Sequence, residues 1–369
     1  MSSYFSPYKS IRSAVKSVYE ILPWQARSLI RKALPSKFVT PLFDQLPFAV
    51  PFSLHIDPTN LCNFRCTFCP TGDFDLLNKI NRPKGTMTFD LFKKIIDELE
   101  IMCNESGQKV NELHLYKDGE PFIHKELGKM AAYVKQKNVA VSVQTTTNAA
   151  LITKEKAIEI IESGLDLIRV SVEHVNDEGY KTVTQNYSNY NVVKDNVRFL
   201  FEEKQKRNSP LIIKTKIVDM DFDEATVKRF FDDFGPYSDQ ISINNLMGWS
   251  YSDLKDFTLG INVKRGMGGA AKLRDKNVCP EPFRSLAINF NGQASVCCVD
   301  WSLGTIVGDF NDQTFSEIWN GRKMKKFRSL HLNGNRSEIK ACANCHYLKG
   351  FPDHLYLDDK KEELKQMYK

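Results

Sequence analysis

Between residues 53 and 244, six short β-prone runs alternate with amphipathic helical stretches, and beyond residue 278 a hairpin signal and five cysteines follow. These two observations predict an α/β chain: a partial (β/α)6 barrel of the TIM type, then a small C-terminal cysteine-rich α+β domain. At 369 residues and 42% hydrophobic, the chain can bury one large core and a smaller one.

Residues 1–50 read as a basic amphipathic helical arm. Seven basic groups (Lys9, Arg12, Lys16, Arg27, Arg31, Lys32, Lys37) face one acid, Glu20, within residues 1–40, which accounts for the whole formal charge of +6. Apolar Ile11, Val15, Val18 and Leu22 recur at helical spacing, and Trp24, Leu29, Ile30 and Leu34 mark a second such segment. An arm of this kind can lie on an anionic membrane surface as a peripheral contact, or pack its apolar stripe against the main domain. Its charges are not densely clustered, and no basic face interleaved with aromatics appears elsewhere, so nucleic acid is excluded as a partner.

Residues 51–250 form the expected barrel core. Its β-prone runs are Ser53 to Asp57, Glu112 to Tyr116, Ala140 to Thr145, Leu167 to Ser171, Leu211 to Val218 and Gln240 to Asn244. Helical periodicity occupies Thr88 to Cys103, Lys125 to Asn138, Lys154 to Ser163, Asn191 to Asn208 and Glu224 to Phe234, and Thr88 before Asp90 and Leu91 reads as a helix entry. Six units fall two short of a closed eight-stranded barrel and leave a wide mouth. Residues 251–278 connect this core to the cysteine-rich domain at 279–350, and 351–369 form a helix-prone charged tail.

Nine cysteines without an N-terminal apolar segment of the secretory kind argue against a disulfide scaffold and for a cytoplasmic chain whose thiols meet metal. No apolar run approaches the length of a membrane-spanning helix. Three of the cysteines, Cys62, Cys66 and Cys69, sit in Leu-Cys-Asn-Phe-Arg-Cys-Thr-Phe-Cys-Pro, directly after the first β-run. Three thiolates can hold three irons of a [4Fe–4S] cubane, which normally takes four, so one iron stays open to an outside ligand. Structural zinc would show paired C-x2–4-C units instead.

The spacing, with the aromatic Phe68 before the last cysteine, resembles the signature of the radical S-adenosylmethionine (SAM) superfamily. That resemblance implies a SAM-binding [4Fe–4S] cluster, with SAM chelating the open iron and splitting to methionine and a 5′-deoxyadenosyl radical. An external one-electron reductant of the flavodoxin or ferredoxin kind is implied as well. Asp118-Gly119-Glu120-Pro121 resembles the Gly-Gly-Glu-Pro segment that contacts the SAM amino group in the family, with its first glycine replaced by aspartate. Thr147-Asn148 and Ser171 match strand ends that contact the SAM carboxylate or ribose; they equally read as polar strand terminators. His174, Lys216, Asn244 and Trp249 stand near the same rim as candidate substrate contacts, and Glu173 accompanies them.

The second set comprises Cys279, Cys297, Cys298, Cys342 and Cys345, with a hairpin signal at Asn291-Gly292. The arrangement resembles the auxiliary-cluster domains called SPASM and, when shortened, twitch. It implies one auxiliary [4Fe–4S] cluster on Cys279, Cys297, Cys342 and Cys345, leaving Cys298 spare; a zinc knuckle on the same four remains an alternative. Phe283 to Asn289 and Ala294 to Cys297 read as strands, and Phe315 to Trp319 with Arg322 to His331 as helices. Cys103 reads as a buried small hydrophobe.

A fully thiolate-ligated auxiliary cluster has no open iron, which points to electron transfer. The pattern resembles twitch-bearing aminocyclitol dehydrogenases and implies a radical SAM oxidoreductase acting on a small polar, sugar- or aminocyclitol-like molecule. A maturase of a ribosomal peptide and a non-catalytic iron–sulfur or zinc protein are the alternatives.

Overall fold

A computed structural model describes residues 40–251, 253–261, 266–267 and 274–369. The expected N-terminal arm, up to residue 39, and part of the connecting segment lie outside the described residues.

The six expected runs become β1 (Ser53–Ile56), β2 (Val110–His114), β3 (Ala140–Thr147), β4 (Leu167–Val172), β5 (Ile212–Asp219) and β6 (Gln240–Asn245), each parallel to its predecessor. Between them lie helices α1 (Phe74–Lys79), α2 (Phe89–Ser106), α3 (Leu127–Lys137), α4 (Lys154–Glu162), α5 (Asp177–Thr184), α6 (Tyr190–Lys206) and α7 (Glu224–Phe234). The expected entry at Thr88 is realised: its hydroxyl accepts the Leu91 N–H at 3.2 Å, meeting one of the helix's orphan donors. Helices α1 and α5 were not expected. Each is short, and each is capped by its own side chain, Asp73 or Asn176.

Alternation along the strands sorts the residues into two faces. Leu54, Ile56, Leu113, Val143, Ile168, Val170, Ile213 and Ile217 are buried in the core that includes Phe92, Ile96, Leu99, Ala131, Val134 and Val197 of the helices. Burial of each large aliphatic chain contributes about 1.5–3 kcal/mol. The intervening positions, among them His55, His114, Gln144, Arg169, Ser171, Lys214 and Lys216, take the opposite, concave face.

The cysteine-rich segment does not stand apart from this sheet. Its first strand, β7 (Ser285–Ile288), pairs parallel to β1, with Ser53 opposite Ser285 and Ile56 opposite Ile288. Antiparallel β8 (Gln293–Ser295) and β9 (Ile306–Asp309) follow, so the order runs β6-β5-β4-β3-β2-β1-β7-β8-β9. The expected turn at Asn291-Gly292 is present, with Gly292 at φ +90°, where a side chain would be strained.

Strand β2 lies two residues earlier than the expected Glu112 to Tyr116, and two boundaries in the cysteine-rich segment also differ from expectation. Phe283 belongs to a helical turn, α8 (Glu281–Arg284), because Pro282 has no N–H for a ladder and Glu281 holds the turn by accepting from Arg284 at 2.9 Å and from the Ser285 hydroxyl at 2.6 Å. Strand β8 ends at Ser295 after a register shift, and the Val296 N–H turns to the Thr305 carbonyl at 3.2 Å. Helices α9 (Phe315–Trp319) and α10 (Arg322–Leu332) match expectation; α11 (Lys340–Ala343) and α12 (Lys361–Met367) complete the chain. The tail packs through Leu364, which is fully buried, and through Tyr368 against Phe283. Cys103 is buried as expected.

Candidate active site and cluster-binding residues

The loop bearing Cys62, Cys66 and Cys69 leaves the C-terminal end of β1, the end at which α/β barrels place their chemistry. Several contacts fix its path. The Arg65 and Thr67 N–H groups donate to the Thr184 and Val183 carbonyls at 3.0 and 2.9 Å, and Asn186 Nδ2 donates to the Asn63 carbonyl at 2.9 Å. Helix α5 is therefore the clamp on this loop. Gly72 completes it from the other side, since a Cβ there would stand 2.7 Å from the Arg65 backbone carbon. Trp249, just beyond β6, donates its ring N–H to the Phe68 carbonyl at 2.9 Å.

Gly119 and Glu120 join the same assembly. A Cβ on Gly119 would lie 2.2 Å from the Thr59 carbonyl oxygen and 2.4 Å from that of Leu61, so the glycine admits the backbone of the cysteine loop itself. The Glu120 N–H donates to the Leu61 carbonyl at 2.8 Å. Its carboxylate accepts from the Thr147 hydroxyl at 2.7 Å, the Asn148 N–H at 2.8 Å and the Phe122 N–H at 3.0 Å, while Pro121 starts the short turn that supplies Phe122. Asn148 in turn donates to the Asn63 side chain at 2.8 Å. Glu120 is thus braced by protein donors, with two acceptor oxygens held at the rim of the loop.

Asp118, the departure from the family-like glycine, is a hub. Its buried carboxylate is paired with both Arg82 and Lys117, its carbonyl accepts the Thr71 hydroxyl at 2.7 Å, and Lys117 continues to the Asp300 carbonyl at 3.0 Å in the cysteine-rich segment. Asp57, at the end of β1, accepts from the Asp118 N–H at 3.4 Å, and burial together with the Asp118 charge raises its carboxyl above the ordinary range. Sequence reasoning missed Arg82, Lys117 and Asp57, because Arg82 lies far from Asp118 along the chain.

Burial, then the Glu120 charge, raises the Cys62 thiol; burial, then Glu173, raises Cys66; burial raises Cys69 to about 11. Thiols of this kind ionise when a metal replaces their protons. Burial also raises Glu173 to about 7 against the opposing charge of Lys216, which is itself lowered by burial. Ser171 falls on the concave side of β4 beside Lys216 of β5. His174 is not brought into this group: its ring stands edge-on to Phe222 and against Gly179 of α5. Asn244, on edge strand β6, accepts from Ser242 at 3.1 Å.

In the cysteine-rich segment, Cys279, Cys297, Cys342 and Cys345 line one small cavity, and Cys298 is not among its lining residues. Cys298 lies within hydrogen-bonding reach of Cys297 and of the His55 ring in β1. Glu281, Cys297 and Cys298 also bring one ligand atom each within 4.8 Å of one another. His331, missed in the sequence, lines the cavity as well. The Cys279 N–H donates to its Nδ1 at 3.3 Å, so Nε2 carries the proton, and Nε2 has no protein partner.

The donor sets fit iron–sulfur clusters: three free thiols in one loop, four around a cavity in the other, no disulfide, and at that cavity a lining histidine whose ring N–H has no protein partner. Replacing His331 by Phe is expected to lower the reduction potential of a cluster held there, because a hydrogen bond to cluster sulfur favours the reduced form. Redox titration followed by electron paramagnetic resonance (EPR) checks this.

The Radical SAM superfamily model matches residues 56–226, which hold the loop and its braces, and the SPASM iron-sulfur cluster-binding domain model matches residues 279–346, which hold the cavity. The chain is a member of the radical SAM superfamily with a C-terminal SPASM domain. Its cofactors are accordingly a [4Fe–4S] cluster with SAM and a SPASM auxiliary iron–sulfur cluster.

Among curated relatives of this radical SAM chain is the cofactor-modifying protein of the tungsten-containing aldehyde ferredoxin oxidoreductase from Pyrococcus furiosus, 29% identical over 32% of this chain and 30% of its own length. The dTDP-4-amino-4,6-dideoxy-D-glucose ammonia-lyase of Streptomyces venezuelae is 29% identical over 52% of this chain and 35% of its own length. The PqqA peptide cyclase of Bradyrhizobium diazoefficiens is 26% identical over 38% and 33%. The chain thus spans about a third of the length of the curated relatives it matches. Among solved structures, anSMEcpe with bound AdoMet matches with TM-score 0.55 at 15% identity, over 86% of this chain and 96% of that one. Streptococcus suis SuiB bound to S-adenosylmethionine matches with TM-score 0.55 at 14% identity, over 84% and 74%. Both share the fold. No helix among the described residues is long and apolar enough to cross a membrane.

Proposed function

We propose that this radical SAM chain is an oxidoreductase that dehydrogenates a small polar molecule in the concave face of its sheet. Cys62, Cys66 and Cys69 would hold the SAM-binding cluster, which with SAM would supply radical hydrogen abstraction, and Cys279, Cys297, Cys342 and Cys345 would hold an auxiliary cluster able to take up the substrate's second electron. Phe68, Gly119, Glu120, Pro121, Asn148 and Ser171 hold and orient SAM in this reading. Glu120 offers acceptor oxygens to its ammonium, and a flavodoxin- or ferredoxin-like donor supplies the starting electron.

The observation that carries the reading is the donor count at the cavity. Four thiols, Cys279, Cys297, Cys342 and Cys345, leave a cubane no vacant iron for substrate, so electron transfer is the role left to it. Its wall also borders the concave face: Tyr347 lines the cavity and neighbours Tyr116, whose ring stands edge-on to those of His55 and His114.

Anaerobic reconstitution is expected to load about eight irons per chain, two cubanes by ligand count, and dithionite with SAM is expected to release 5′-deoxyadenosine. Zinc in place of iron, with no release, would overturn the reading. Cys342→Ala is expected to lose about four of those irons and the EPR signal of one cluster alone. The likeness to a peptide cyclase supports a second reading, a peptide substrate. Turnover of candidate sugars against candidate precursor peptides separates the two.

A further inference from the structure

We propose that the concave face binds a substrate carrying an oxyanion, a phosphate or a carboxylate, gripped by the Arg169 guanidinium. This rests on the radical SAM reading above and names the substrate class for the same site.

Closed α/β barrels fill their interior with layers of Val, Ile and Leu. Here the concave positions of β4 and β5 are instead Arg169, Ser171, Lys214 and Lys216, facing His55, His114, Gln144 and Thr146 from β1 to β3. Register places Arg169 directly against Lys214 on one side and Thr146 on the other, so two cations lie side by side.

The protein does not satisfy this surface by itself. His114 Nδ1, Gln144 Oε1 and Arg169 Nη1 are buried atoms without a protein partner, and all lie on the concave side of three adjacent strands. Buried polar groups are ordinarily paired, so a run of orphans on one face marks where a polar ligand belongs. The carboxylates nearby are engaged elsewhere. Glu112 lies 3.5 Å from His114, and Glu173 interacts with Lys216. Glu112 also feels the Arg169 charge, but Arg169 Nη1 has no protein partner and is left for an outside oxyanion, which a guanidinium matches well.

The position is distinct from the SAM rim. Arg169 precedes Ser171 by two residues, roughly 6.6 Å deeper along β4 at the usual strand rise. Its charge acts on Glu112, His114 and Tyr116 of the β2 region and on Lys216, and not on the thiols of Cys62, Cys66 or Cys69.

The test is equilibrium binding of inorganic pyrophosphate, inorganic phosphate and glutarate to the reconstituted holoenzyme with saturating SAM. At least one is expected to bind, and Arg169→Gln is expected to weaken that binding ~10- to 100-fold, the range for a charge-assisted hydrogen bond pair. Arg169→Lys is expected to fall between. Preference for the phosphates assigns a phosphoryl group; preference for glutarate assigns a carboxylate. Absence of binding in wild type, equal binding by Arg169→Gln, or binding that SAM abolishes would each overturn the proposal, the last because the cations would then serve SAM itself. Should Arg169→Gln fail to take up iron, the charge-keeping Arg169→Lys variant is read in its place, a weakened binding supporting the proposal and an unchanged one overturning it. Release of 5′-deoxyadenosine by the wild type needs none of these anions, so failure of the radical SAM reading registers separately.

Discussion

Replacing Cys62, Cys66 or Cys69 by alanine is expected to abolish 5′-deoxyadenosine release from the reduced, reconstituted protein. The effect is total rather than graded because of how few donors the loop contains. Among the described residues the other cysteines lie in the SPASM segment or, like Cys103, in the core, so nothing stands ready to replace a lost thiolate. The braces around the loop fix the backbone that carries the three thiols. Helix α5 holds Arg65 and Thr67, Gly72 packs on the Arg65 backbone, and Gly119 lets the β2 loop lie against residues 59–61. Measurement of 5′-deoxyadenosine with iron content checks the prediction. A variant that still cleaved SAM at wild-type rate would remove the loop from the chemistry.

Asp118→Leu is expected to destabilise the fold by about 3–5 kcal/mol, the cost of leaving a buried ion pair without one partner. Its carboxylate faces two cations, Arg82 and Lys117, whose side chains are 1% and 0% exposed, so its loss strands both. Replacing Asp118 by Gly, as in the family-like segment, is expected to behave similarly, because the aspartate here balances cations that a glycine cannot. The damage should reach both cluster regions. Thr71, next to the cysteine loop, hangs on the Asp118 carbonyl, and Lys117 reaches Asp300 at the edge of the auxiliary cavity. Denaturant unfolding of the variant against wild type checks the magnitude; a change below about 1 kcal/mol, typical of surface pairs, would show that the network is solvated.

Much of the barrel was legible because its signals are local. Period-two alternation in Leu167–Val172 and a capping threonine before Phe89 each specify their element within a few residues. Helix α5 was not legible: at eight residues with a glycine inside, it has too little periodicity, and only Asn176 and Asp177 marked its start. The two cysteine motifs could be read as metal donors from spacing alone. Which of Cys297 and Cys298 lines the cavity could not, since both lie beyond the end of β8 in irregular backbone that carries no strand alternation. The Arg82–Asp118–Lys117 hub and the pairing of β7 with β1 join residues distant in sequence, and neither leaves a periodic trace.

That β7–β1 pairing changes what the C-terminal segment is. Without β7, the Ser53–Ile56 strand would expose a row of bare backbone donors and acceptors beside the very loop that holds the cysteines, an edge that invites pairing with another chain. The segment that looks in sequence like an appended electron carrier is also the flank that keeps β1 an interior strand, so a shortened chain ending before it would be prone to self-association rather than a smaller working unit.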